Sequence, residues 1–108
     1  MIVEKRSFVM RSGTISTYLN AFEQEGYALQ KEFLGEGELA FLVSETGPLE
    51  QVVQLWAYAD WNDREERRKA LFADPRFKSM SEKMHPLIQH KNTQLLAPTS
   101  FSRLGQQK

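Results

Sequence analysis

Residues 52 to 58 read Val-Val-Gln-Leu-Trp-Ala-Tyr, a stretch without a single charge. In a β-strand successive side chains point to opposite faces. Val53, Leu55 and Ala57 would share one face, with Val52, Gln54, Trp56 and Tyr58 on the other. A strand with one wet face alternates apolar with charged residues, and this one does not. Any fold that holds it must cover both sides of one sheet. With 108 residues, the chain has room for one hydrophobic core, so a single domain over 1–108 is expected.

The rest of the chain supplies the partners for that strand. Ile2 to Met10 reads as a strand, and Arg11-Ser12-Gly13 breaks it. From Ile15 the apolar residues Tyr18, Leu19, Phe22, Leu29 and Phe33 recur at three- and four-residue steps, which draws one helical stripe. Gly26 falls inside that stripe, where glycine weakens a helix by about 1 kcal/mol relative to alanine. It predicts a close packing contact or an early stop. Leu39 to Thr46 and Gln51 to Ala59 flank Gly47-Pro48, the pattern of an antiparallel hairpin. Asp60 caps a helix through Leu71 and Phe72, and Asp74-Pro75 restarts it. Phe77, Met80 and Met84 continue the stripe until Pro86 kinks or shortens it. Lys91 to Ala97 reads as a last strand, and the tail from Pro98 has no periodicity.

The order strand, helix, strand, strand, helix, strand predicts an α+β fold of ferredoxin-like βαββαβ type. Its four-stranded antiparallel sheet carries its helices on one face. The helices hold apolar residues for one side only. The reading places Val52, Trp56 and Tyr58 on the side they leave bare, and covers it with the sheet of a second copy, as a homodimer.

Charge and composition narrow the partners. Lys plus Arg equals Asp plus Glu at 14 each, so no basic surplus exists to hold nucleic acid or an anionic membrane. The run from Arg64 to Lys69 mixes signs and reads as a solvated helix face. Cysteine is absent, which removes disulfides and thiolate chemistry and suits a reducing compartment. Neither a leader-like N-terminus nor an apolar stretch of membrane-spanning length is present, so a cytoplasmic location is expected.

The chain resembles the NIPSNAP family, within the dimeric α/β-barrel branch of ferredoxin-like proteins. The resemblance rests on GTISTYLNAFEQEG at 13–26, TGPLEQVVQLWAYADWNDREERRKAL at 46–71, DPRF at 74–77 and PTSFSRL at 98–104. It implies a barrel-like fold with an internal cavity. Related barrels include quinone-forming monooxygenases, haem-degrading enzymes and small-ring isomerases. Where the family pattern often carries histidine in the third strand, two positions before the tryptophan, this chain has Gln54. An amide cannot move a proton near neutral pH as an imidazole does. Phe8 stands where the family often has tyrosine.

Glu4, Arg6 and Phe8 share one strand face by the two-residue period, as do Gln54, Trp56 and Tyr58. If both faces look into one space, they form an apolar pocket with a few polar groups, the usual form of a small-molecule site. The alternative has Glu4 and Arg6 neutralising each other, with Trp56 and Tyr58 as interface packing. His85 and His90, read as five residues apart on a helix, fall on different faces, and His90 suits a helix C-terminus. No metal or other cofactor is expected, and no catalytic residue is assigned. Two functions remain open at this point. One is a protein that binds a small apolar or aromatic molecule, extending to a cofactor-independent monooxygenase. The other is a non-enzymatic interaction module acting through its surface or tail.

Overall fold

A computed structural model describes residues 1–104. Four strands, β1 (Ile2–Met10), β2 (Glu38–Val43), β3 (Gln51–Tyr58) and β4 (Ile88–Leu96), form one antiparallel sheet in the order β2-β3-β1-β4. Helices α1 (Ile15–Ala21) and α2 (Tyr27–Leu34) connect β1 to β2, and α3 (Trp61–Ala73) and α4 (Pro75–Met84) connect β3 to β4. This is the ferredoxin-like arrangement.

The helix starts follow the local chemistry. Asp60 accepts a hydrogen bond from the Asp63 amide, while Asp63 accepts one from the Ala59 amide, so two orphan donors at the start of α3 are satisfied reciprocally. The Ala59 amide and the Arg67 guanidinium hold the Asp63 carboxyl below its ordinary range. Asp74 caps α4 with Pro75 in its first turn. Pro86 acts as a terminator: α4 stops at Met84, and a single 3-10 turn, His85–Leu87, feeds β4. That strand starts at Ile88 rather than Lys91, so His90 lies in the sheet opposite Val9 and not at a helix end.

Gly26 neither stops the helix nor leaves it regular. Residues Phe22–Gly26 form a π segment that joins α1 to α2. A Cβ on Gly26 would come 2.7 Å from the Met80 sulfur, so the missing side chain lets α4 approach. The wider turn takes up an extra residue, and the buried stripe beyond it runs through Leu29, Gln30 and Leu34, with Phe33 only partly buried.

The faces of β3 are the reverse of the expectation. Val52, Gln54, Trp56 and Tyr58 are all buried, in a chain whose own helices supply the cover: Leu29, Leu34 and Leu71 cluster with Trp56 and Tyr58, and Tyr18, Phe22, Met80 and Met84 with Val52 and Phe8. A partner sheet is not needed for that side. The open side instead carries Val53 paired with Leu42, and Leu55 paired with Ala40. The error has a physical source: with both faces uncharged, alternation defines the two sets but not which one faces inward.

A buried ionic cluster fastens α3 to the sheet. Glu4 is completely buried on β1. Its Oε2 accepts from Arg64 Nε at 2.8 Å and Nη2 at 2.6 Å, and its Oε1 from Arg68 Nη1 and the Tyr58 hydroxyl, each at 3.4 Å. Arg64 and Arg68 lie one turn apart on α3, so both reach inward from the same stripe. The run read as a solvated face is therefore half structural. Arg67, by contrast, makes an intrahelical pair with Asp63 at 2.8 Å on the more exposed side of the helix.

Three substitutions test these contacts. Glu4→Gln removes the charge that both guanidiniums face and should cost about 3 kcal/mol in urea unfolding, the lower end for a broken buried pair because Arg64 can still turn toward water. At Gly37, an added Cβ would overlap the Ala57 carbonyl oxygen, whose own amide donates to the Gly37 carbonyl. Gly37→Ala should therefore destabilise by about 1–3 kcal/mol, whereas Gly26→Ala, opposed by flexible side-chain atoms, should cost less in the same measurement.

Candidate functional site

The helices sit over β1 and β3, whereas β4 is exposed along most of its length. Between β4, β1 and α4 a cavity of about 450 Å³ opens. Its sheet wall is Arg6, Phe8 and Gln54, continued on β4 by Lys91 and Thr93. The register explains the grouping, because Arg6 stands opposite Gln54 on one side and Thr93 on the other, and Phe8 opposite Lys91. Tyr18, Phe22 and Gln30 close it from the first helical layer, and Arg68, Phe72, Phe77, Met80 and His85 from the second. The volume is within the range of small-molecule pockets.

Of the six residues expected to share a pocket, three form its wall: Arg6, Phe8 and Gln54. Glu4, Trp56 and Tyr58 lie on the same sheet face but outside the lining. Glu4 is engaged by α3, Trp56 is fully buried, and Tyr58 donates to Glu4. The expected Glu4–Arg6 neutralisation is absent among the described residues, since Glu4 pairs with Arg64 and Arg68.

What distinguishes this region is polar groups without partners. Arg6 Nε, Gln30 Oε1, Gln54 Oε1 and Trp56 Nε1 are shielded from solvent and have no hydrogen-bond partner among the described residues. Burying such groups unpaired costs about 1–3 kcal/mol each, and folds normally avoid it. The first three belong to residues that line this cavity, Arg6 and Gln54 from the sheet and Gln30 from α2. Burial, reinforced by the neighbouring Arg68 charge, pulls the Arg6 guanidinium down to about 10, so it stays protonated at neutral pH. Burial also pushes the Tyr18 hydroxyl up to about 12, against the opposing pull of Arg6 and a Gln54 contact. Burial likewise raises Tyr58, with the Glu4 charge adding to it. Both phenols are neutral donors at physiological pH.

Sequence reasoning missed Gln30, Arg68 and His85. Gln30 is turned inward by the π segment, which period counting does not foresee. Arg68 was masked because Glu4 already has Arg6 on its own strand face, so no second cation was called for, although Arg64 and Arg68 are four apart on the next helix. His85 follows from the early stop at Met84, which puts the imidazole at the cavity rim, exposed to solvent. No group of three or more potential metal ligands clusters among the described residues. No helix among them is long and apolar enough to cross a membrane.

A larger groove of about 580 Å³ runs between α2 and α4. Its charges are already matched, Arg76 with Glu32 and Asp74 and Lys83 with Glu25. It offers a ligand no unpaired charge, so the smaller cavity is the candidate site.

Comparison with known proteins agrees with this architecture. The NIPSNAP family model matches residues 3–103. The zebrafish (Danio rerio) protein NipSnap homolog 2 is 31% identical over 104 residues, covering 95% of this chain and 35% of that protein. The chain spans between 19% and 36% of the length of the curated relatives it matches. A crystal structure of a NIPSNAP family protein with unknown function from Agrobacterium tumefaciens superposes with a TM-score of 0.91 at 38% identity, covering 96% of this chain and 93% of that one. An antibiotic biosynthesis monooxygenase superposes with a TM-score of 0.66 at 13% identity, covering 92% and 99%, a likeness of fold alone. With strand order, capping pattern and a family match over nearly all of its described length, the chain belongs to the NIPSNAP family.

Proposed function

We propose that the protein binds a small apolar or aromatic molecule in the cavity between β1, β4 and α4. The observation that carries this reading is the set of buried, unpartnered polar atoms on Arg6, Gln30 and Gln54 in a cavity whose apolar lining is aromatic rings, methionines and Ile88, with Arg68, His85, Lys91 and Thr93 as further polar residues. Such a lining holds an apolar body by contact area and orients it by a few directed hydrogen bonds.

Turnover is a narrower reading. A cofactor-independent oxygenation would need a substrate that gives up a proton to become a carbanion, and a base to take it. Glu4 does not line the cavity, and both of its oxygens are engaged. Gln54 is not a base. His85 is the one imidazole in the lining, so any such reaction in this chain rests on it.

A second copy of the chain is the occupant we propose for the open sheet face. Leu42 is 52% exposed there, beside Val53 and Leu55, and this is the apolar surface that the helices do not reach.

Native mass spectrometry on freshly purified protein tests both proposals. The expected result is a dimer carrying a reproducible extra mass per chain. Thr93→Trp, which places a large ring on the exposed strand opposite Arg6, should remove that mass while leaving the dimer and its melting temperature unchanged. A protein that carries nothing, before or after incubation with aromatic compounds, would leave the interaction-module reading, in which Phe101, 82% exposed, is the obvious contact. A monomer would refute the dimer.

A further inference from the structure

The charge balance around the cavity is one-sided. Arg6, Arg64 and Arg68 surround the carboxylate of Glu4, which is engaged by the two arginines of α3, and Arg64 has a second carboxylate partner in Glu65 at 2.6 Å. The cavity lining adds Lys91 and contains no acid. Arg6 forms no salt bridge among the described residues, and its guanidinium carbon lies 5.4 Å from the centre of the Phe8 ring. Arg68 stacks over Phe72 at 4.7 Å. Those rings hold the guanidiniums in place without neutralising them.

We propose that the molecule bound here is a carboxylic acid with an apolar, ring-bearing body, its carboxylate paired with Arg6. The proposal deepens the reading of this cavity as a small-molecule site and rests on it. Arg6 is half-buried, with its Nε shielded from solvent and unpartnered; a partly desolvated cation without a counter-ion is costly, and an incoming anion supplies what the protein withholds. The depression of Arg6 by burial and by Arg68 has the sign expected of such a site, because an arriving carboxylate would reverse it. A planar carboxylate matches the guanidinium fork. Arg68 and Lys91 also line the cavity, so a phosphate ester is the competing anion that the titration must separate, while Gln30 and Gln54 present acceptor oxygens without partners. Those acceptors suit a hydroxyl or N–H on the same molecule.

Isothermal titration calorimetry with four probes decides the matter: 2-naphthoate, the neutral 2-naphthamide, 3-hydroxy-2-naphthoate and 2-naphthyl phosphate. The expected order places both carboxylates at least about tenfold tighter than the amide, the yield of one charge-assisted bond. Arg6→Met should erase that preference and leave amide affinity within about twofold. Arg6→Lys, which keeps the charge and loses the fork, should retain part of it and serves if the methionine variant does not fold. Equal affinity for naphthoate and amide in the wild-type protein would overturn the carboxylate assignment while leaving the cavity reading standing. Tighter binding of the phosphate would overturn it in favour of a phosphate ester. Failure of all four probes to bind would remove the cavity reading and this proposal together.

Discussion

A single carboxylate organises this molecule. Glu4 sits at the centre of the sheet with no access to water, and a charge in that position is tolerated only if cations and hydrogen bonds surround it. Two arginines one helical turn apart provide them, and so fix the rotation of α3 about its own axis. Once Arg64 and Arg68 point at Glu4, Leu71 is carried onto Trp56 and Tyr58, and Phe72 is turned outward toward the cavity. The cluster adds little net stability when weighed against an apolar replacement, which is the general finding for buried ion pairs. Its consequence is geometric. It holds the helical layer over β1 and β3, and the inner side of β4 is left as one wall of an open space.

The same cluster accounts for the electrostatics of that space. Glu4 is saturated by α3, so it cannot also neutralise Arg6, two residues along the same strand face. Arg6 is left without an ion pair among the described residues, over the Phe8 ring and opposite Gln54 and Thr93. A fold selected for stability alone would place an apolar residue at position 6, since the strand is central and the site is shielded. Retention of an unpaired guanidinium beside two unpaired amide oxygens is the kind of local inconsistency that marks a site built for something else.

Much of the fold was legible because its signals are local. Asp60 with Asp63, Asp74 with Pro75, and the Gly47-Pro48 break mark their elements through backbone chemistry that operates within four residues. What could not be read locally was orientation. The run from Val52 to Tyr58 is apolar on both sides, so its periodicity defines two faces and is silent on which one the helices take. Gln30 was hidden for a related reason. A π segment changes the helical phase, and nothing in FEQEG at 22–26 announces one except Gly26, whose role depends on Met80, more than fifty residues away. Arg68 was hidden by its neighbours, because a basic run on a helix is normally solvent-facing and only the need of Glu4 argues otherwise. The site was thus half visible: its strand wall follows from the two-residue period, and its helix wall depends on packing.

Gln54 sets the chemical character of what remains. Its position at the middle of the sheet, 1% exposed and beside Arg6 and Tyr18, is where a titrating group would command the whole cavity. An amide there can orient a ligand and accept a hydrogen bond, but it cannot exchange a proton. The imidazole of His85 is at the rim, where water competes for any proton it handles. The deep end of the cavity is therefore suited to holding a molecule by charge and shape, and the chemistry available to it is confined to the mouth. On the proposed reading the ligand is held by Arg6 and Gln54, neither of which changes charge near neutral pH, so affinity for a carboxylate should follow the ligand's own ionisation.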